Sequence, residues 1–185
     1  MQVDVYTDGS CHNKCEFGVG AWAFVAVDPE DEQKLIDFRV GVTYEATSNL
    51  MEMEAVEEAL SRVSKLEGLT KLRIHSDSAY VVNCFLERWF DRWEDHLYIG
   101  VKNAEQWQRL IELYRKVKRN KIRVEFVKVK GHSGIQYNEL VDKLSGEERY
   151  NEISKITKRT KYQNSGREEA LRRLKDAEKF FTFNK

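Results

Sequence analysis

At 185 residues, 41% of them hydrophobic and 34% charged, the chain is long enough for one ordinary domain with a buried core and a short appendage. No apolar run nears the roughly 18 residues of a membrane span, and the N-terminus enters a strand pattern without the basic and apolar regions of a secretory signal. The zero net charge hides a split: residues 1–148 hold 20 Lys/Arg against 26 Asp/Glu, and residues 149–185 hold 11 against 5, so an acidic body carries a basic tail.

Three strands are expected first, over residues 2–7, about 18–27 and about 34–43, with Asp28-Pro29-Glu30-Asp31-Glu32 as a polar turn. A helix over about 49–66 follows, capped within Thr47-Ser48-Asn49 and stopped near Gly68. Its apolar residues Val56, Ala59, Leu60, Val63 and Leu66 recur at intervals of three and four. A strand over 71–76, a helix over about 78–88, an aromatic-rich segment (Trp89, Phe90, Trp93, Tyr98), a helix over 104–118 and a strand over 121–129 come next. After a glycine-bounded loop, a helix runs from near Asn138 to about 150. The order predicts an α/β fold: a five-stranded mixed sheet, three antiparallel strands then parallel βαβ crossovers, flanked by helices. In such sheets ligands sit beyond the carboxyl ends of the strands. Residues 1–150 form the expected body. In the extension, 151–185, residues 151–166 lack periodicity, and 167–181 read as a short amphipathic helix with Ala170, Leu171, Leu174, Ala177 and Phe181 on one stripe.

Four carboxylates stand out against that frame. Asp8 and Asp77 end two strands, Glu52 shares a helix face with the core stripe, and Asp142 lies early in the helix after Lys130-Gly131-His132-Ser133-Gly134. An unpartnered carboxylate on a buried face costs several kcal/mol or stays protonated. Singly, each has a plainer reading: a strand-end turn for Asp8, a residue snorkelling from the stripe edge for Glu52, a helix cap for Asp77, an acid complementing a helix dipole for Asp142. Glu54, Glu57 and Glu58 are expected to face solvent. Converging carboxylates are what a divalent-metal site for phosphoryl chemistry requires.

The segments Thr7-Asp8-Gly9-Ser10-Cys11, Thr47-Ser48-Asn49-Leu50-Met51-Glu52, Ser76-Asp77-Ser78-Ala79-Tyr80-Val81, Val101-Lys102-Asn103, Trp107-Gln108-Arg109-Leu110, Val129-Lys130-Gly131-His132-Ser133-Gly134 and Asn138-Glu139-Leu140-Val141-Asp142 occur in the order of one family. Residues 1 to about 150 resemble a type 1 ribonuclease H. The resemblance implies a two-metal-ion endoribonuclease that hydrolyses the RNA strand of RNA/DNA hybrids. Asp8, Glu52, Asp77 and Asp142 would hold two Mg2+ ions, with Mn2+ a substitute, and His132 would assist proton transfer or product release. Gly9 would let the scissile phosphate approach the backbone. Ser10, Cys11, Asn13, Ser48, Asn49, Ser78 and Asn138 would meet the hybrid near the cut. Thr47, Lys102 and Asn103, with Trp89 and Trp93, would meet the DNA strand, although core packing is the plainer alternative for the two tryptophans, more so for Trp93 than for Trp89.

The chain departs from the pattern in three places. The segment after Asp8 lacks the usual Asn-Pro-Gly run, Glu45 stands where some members carry an arginine, and the handle after Trp93 is short and acidic. No hybrid-binding domain is expected ahead of the strand at residue 2, so the basic tail is a candidate for the missing positive surface. Rival readings are a nuclease of the same fold with another substrate, or a non-catalytic hybrid-binding module. The three cysteines, Cys11, Cys15 and Cys84, fit reduced thiols in a cytoplasmic protein rather than a zinc site, and a monomer is expected.

Overall fold

The structure is a computed structural model that describes residues 1–12, 18–31 and 34–182, without side chains beyond residue 159. Its sheet is built from β1 (Gln2–His12), β2 (Val19–Val27), β3 (Leu35–Thr43), β4 (Lys71–Ser76) and β5 (Arg123–Lys128) in the spatial order β3-β2-β1-β4-β5. The first three strands pair antiparallel, and β1, β4 and β5 pair parallel. The mixed sheet expected from the sequence is therefore present.

The helices of the body are α1 (Ser48–Val63), α2 (Ala79–Leu86), α3 (Trp89–Asp95) and α4 (Ala104–Arg119). A last helix, α5, spans Gln136–Thr182. Alternation along β1 sends Val3 and Val5 into the main core with α1, β2 and the inner faces of β4 and β5. Tyr6 faces the other way, into a smaller cluster with Ala23, Val25, Val27 and Val141 of α5. All nine residues of β2 are buried because helices cover both of its faces.

Three expectations change. First, β1 does not stop at residue 7 but continues through Asp8 to His12, paired with β2 alone after its parallel register with β4 ends at Tyr6 and His75. Gly9 permits this, since a Cβ there would lie 2.2 Å from the Glu52 nitrogen of α1. Second, the aromatic-rich segment is itself helical. Arg88 adopts a left-handed φ of 53° and separates α3 from α2. Third, the chain from 151 to 166 is helical and α5 is continuous. Its Lys, Arg, Glu and Gln are good helix formers, so the helix does not need an apolar period. The stripe expected over 167–181 rests on side chains outside the described residues. The chain divides into compact units at Met1–Arg149 and Tyr150–Lys185.

Candidate active site

Asp8 and Asp77 lie two positions beyond Tyr6 and His75, where the β1–β4 pairing ends, with Asp77 just after β4. Nothing projects from Gly9, so the backbone of α1 at Met51–Glu52 presses against β1 and carries Glu52 to the same spot. One oxygen from each of Asp8, Glu52 and Asp77 lies within 4.8 Å of the others. Gly131 approaches from the other side, and a Cβ there would lie 2.5 Å from Asp77 Oδ2. The loop after β5 is thus fitted against Asp77 by the absence of a side chain.

Burial is the main electrostatic fact of this site. It pushes Asp8 up to about 6, helped by the charges of Asp142 and Asp77, while hydrogen bonds from Ser145 and the Gly9 backbone pull it down. Burial likewise drives Glu52 well above the usual carboxylate range, with Asp8 and Asp77 adding repulsion. Glu52 Oε2 is closed off from solvent and has no hydrogen-bond partner. No lysine or arginine pairs with Asp8, Glu52 or Asp77 among the described residues.

Asp142 stands at a small remove. Its Oδ2 lies 3.5 Å from His132 Nδ1, and His132, Glu139 and Asp142 form a second group whose ligand atoms lie within 4.8 Å. His132 is exposed, on a loop residue with a left-handed φ of 51°. Two residues in this region escape sequence reasoning. Ser145 is fully buried and its hydroxyl donates to Asp8 Oδ2, tying α5 to β1. Glu139 accepts from the Gly134 nitrogen at 3.2 Å, closing the histidine loop onto α5. Both lie three residues from Asp142, so the helical period was the available signal.

Around this centre, Thr47 caps α1, its hydroxyl accepting from the Leu50 nitrogen, and Ser48 and Asn49 occupy the first turn. Ser10 Oγ and Asn138 Oδ1 are buried without partners, whereas the Cys11 thiol donates to the Ala46 carbonyl. Ser78 precedes α2 without a side-chain cap. Asn13 lies outside the described residues. A cleft of about 460 Å3 brings Leu50 of α1 to Asn103 and Arg109 of α4. A second, of about 410 Å3, runs between Tyr80, Trp93 and Lys102. Tyr80 organises it, donating to the Lys102 carbonyl and accepting from Asn103 Nδ2 and Trp107 Nε1. Trp89 and Trp93 are half-buried against the core, 6.1 Å apart, with Trp89 Nε1 donating to Glu87. Glu54 and Glu57, expected in solvent, are half-buried. Glu54 accepts from Thr43, and Glu57 accepts from Gln106 beside Arg109.

A mixed sheet with acidic residues gathered where its central parallel pair ends is the architecture of ribonuclease-H-like proteins, and comparison with known proteins is specific. A family model described as RNase H matches residues 1–150. The Ribonuclease H of Clostridium botulinum is 38% identical over 153 residues, covering 79% of this chain and 94% of that protein. The crystal structure of RNase H1 from the archaeon Halobacterium salinarum superposes with a TM-score of 0.59 at 18% identity, over 80% of this chain and 96% of that one. That of LC11-RNase H1 in complex with RNA/DNA hybrid gives 0.57 at 18%, over 79% and 98%. The chain belongs to the RNase H family, on its type 1 branch.

Proposed function

We propose that this protein hydrolyses the RNA strand of RNA/DNA hybrids, leaving 5′-phosphate and 3′-hydroxyl ends, with two divalent ions as cofactor. The observation that carries the proposal is a cluster of three carboxylates without a cationic partner among the described residues, one of them with an orphaned buried oxygen. Hard oxygen donors at this spacing suit Mg2+, with Mn2+ as a substitute. When bound, two such ions supply an activated water and stabilise charge at the leaving 3′ oxygen.

The remaining roles fall to the chain itself. Asp8, Glu52 and Asp77 hold the ions, and Asp142 joins them from α5. His132, exposed and beside Asp142, passes a proton at the leaving group or helps the product leave. Ser10, Cys11, Asn13, Ser48, Asn49, Ser78 and Asn138 position the RNA strand near the cut, along the path that Gly9 keeps narrow. Thr47, which caps α1, and Asn103, which lines the cleft beside Leu50, take a DNA phosphate. Lys102, Trp89 and Trp93 receive the DNA strand's sugars. A relative of the same fold is known in complex with RNA/DNA hybrid, which supports this substrate. The free thiols of Cys11 and Cys84 favour a cytoplasmic location. No described helix is long and apolar enough to cross a membrane.

The test is cleavage of an end-labelled hybrid with Mg2+ or Mn2+, beside duplex RNA, duplex DNA and single-stranded RNA. Cleavage confined to the hybrid supports the proposal. Cleavage of duplex RNA or DNA instead would assign a different substrate, and binding without cleavage would leave only a hybrid-binding module.

A further inference from the structure

Val141, Ser145 and Arg149 recur at intervals of four in α5, so they share one face of the helix. Each meets β1 in turn. Val141 packs in the cluster that holds Tyr6, the Ser145 hydroxyl donates to Asp8 Oδ2, and Arg149 Nη1 donates to the Cys11 carbonyl at 3.4 Å. The first two contacts belong to the core and to the carboxylate centre. The third belongs to neither.

Past Tyr6, β1 pairs with β2 alone, so one of its edges is open. In an antiparallel ladder, successive residues turn their backbone groups alternately toward the partner strand and away from it. The Gly9 N–H turns to the carboxylates of Asp8 and Glu52, and the Cys11 carbonyl turns to Arg149. Residues 9 and 11 are two apart, and both face the open edge. Arg149 therefore reaches the edge that borders the acidic centre, at a point about 7 Å beyond Gly9 along the strand.

The guanidinium is only partly used there. One N–H is taken by Cys11, and Arg149 makes no ion pair with a carboxylate among the described residues. A tie between α5 and β1 does not call for a charge, since a hydroxyl or an amide serves a carbonyl as well. A planar cation with spare donors in a fixed orientation is suited to phosphate. It also stands on a body with excess acidic side chains and a short acidic handle, where cations that neutralise phosphate are scarce.

We propose that Arg149 binds a phosphate of the RNA strand beside the one being cut, on the side toward which β1 continues. The assignment rests on the hybrid reading given above. The Cys11 carbonyl sets the orientation of the guanidinium, and its remaining N–H groups meet the strand as it passes the open edge of β1. Arg149 touches no reacting atom. It grips the substrate equally in the ground state and the transition state, so its contribution falls on the Michaelis constant and not on turnover.

The test uses the full chain and RNA/DNA hybrids in which 2′-O-methyl sugars confine cleavage to a short run of riboses. A single neutral methylphosphonate linkage is walked outward from the cut along the RNA strand. In wild type, one such linkage beside the cut should raise the Michaelis constant about fivefold, with kcat within about twofold. Arg149→Ala should show that rise on the native hybrid and no further rise at that linkage. Its dependence on salt should be shallower by about one in the logarithmic slope. Arg149→Lys, which keeps the charge, should restore the slope, with thermal melting as the check that both variants fold. An unchanged Michaelis constant in Arg149→Ala would overturn the proposal. So would an Arg149→Ala protein as sensitive as wild type to every neutral linkage, which would leave the side chain a tie between α5 and β1. Wild-type protein that leaves the native hybrid uncut would remove the hybrid reading itself, whereas the first two results strike Arg149 alone.

Discussion

Asp4 and Asp8 lie four residues apart on one face of β1, and each is 8% exposed. Burial raises both, yet their fates diverge. Asp4 receives the Arg73 fork at 2.6 and 2.8 Å and has His75 Nε2 3.3 Å away, and these neighbours outweigh burial and hold it low. Asp8 has a serine hydroxyl for a partner and carboxylates for neighbours, and it rises to about 6. Equal burial thus serves opposite ends. The end of the strand with its cation built in is a structural clamp. The end that lacks one is poised to accept a cation from solution, and its repulsion is the standing cost of that readiness.

The sharpest way to break the contrast is to neutralise each carboxylate. Asp8→Asn should lower hybrid cleavage by about a thousandfold, since several kcal/mol of metal-borne stabilisation is at stake. Asp4→Asn should leave the turnover of folded protein near wild type in the same assay. Stability should reverse the order. Breaking the half-buried Asp4–Arg73 pair should cost about 2–3 kcal/mol, seen as a lower midpoint in urea, while Asp8→Asn should stabilise the metal-free protein.

pH sharpens the comparison further. A carboxylate raised by folding favours the folded state below its unfolded value near 3.8, and that contribution is lost as pH rises through about 6. Asp4, held low, contributes in the other direction: its stabilisation is present above its unfolded value and lost as pH falls through its folded one. Metal-free wild type should therefore lose up to about 3 kcal/mol relative to Asp8→Asn between pH 4 and 7, read as the difference between their urea midpoints. Ser145→Ala should have a smaller effect, lowering Mg2+ affinity by a few-fold in calorimetry by freeing Asp8 from α5. Removing residues 155–185 should raise the Michaelis constant for hybrid and flatten its salt dependence with turnover intact. An unchanged salt slope would remove the tail from substrate binding.

The strand order and the acidic centre were legible because both rest on local signals. A continuous apolar run marked β2 and alternation marked β4, a helical stripe exposed Glu52 as out of place, and motif order named the family. What the sequence hid depends on contacts between distant segments. β1 runs past Asp8 because α1 lies against Gly9, which no local pattern records. α3 is a separate helix because Arg88 turns left-handed, a conformation that residue type does not announce. Ser145 reads as an ordinary helix serine until folding brings it to Asp8, 137 residues away in the chain. Asp142 stands out in the sequence together with the other three carboxylates, whereas geometry sets it first beside His132 and Glu139.

The most direct test is Mg2+ binding to three proteins, wild type, Asp8→Asn and Asp4→Asn, followed by calorimetry and by the rise in melting temperature at pH 8. Wild type and Asp4→Asn should both bind Mg2+ and be stabilised by it, the latter from a lower starting point. Asp8→Asn should start higher and gain nothing. Undiminished Mg2+ binding by Asp8→Asn, or its loss in Asp4→Asn, would contradict a metal centre built on the unpaired end of β1.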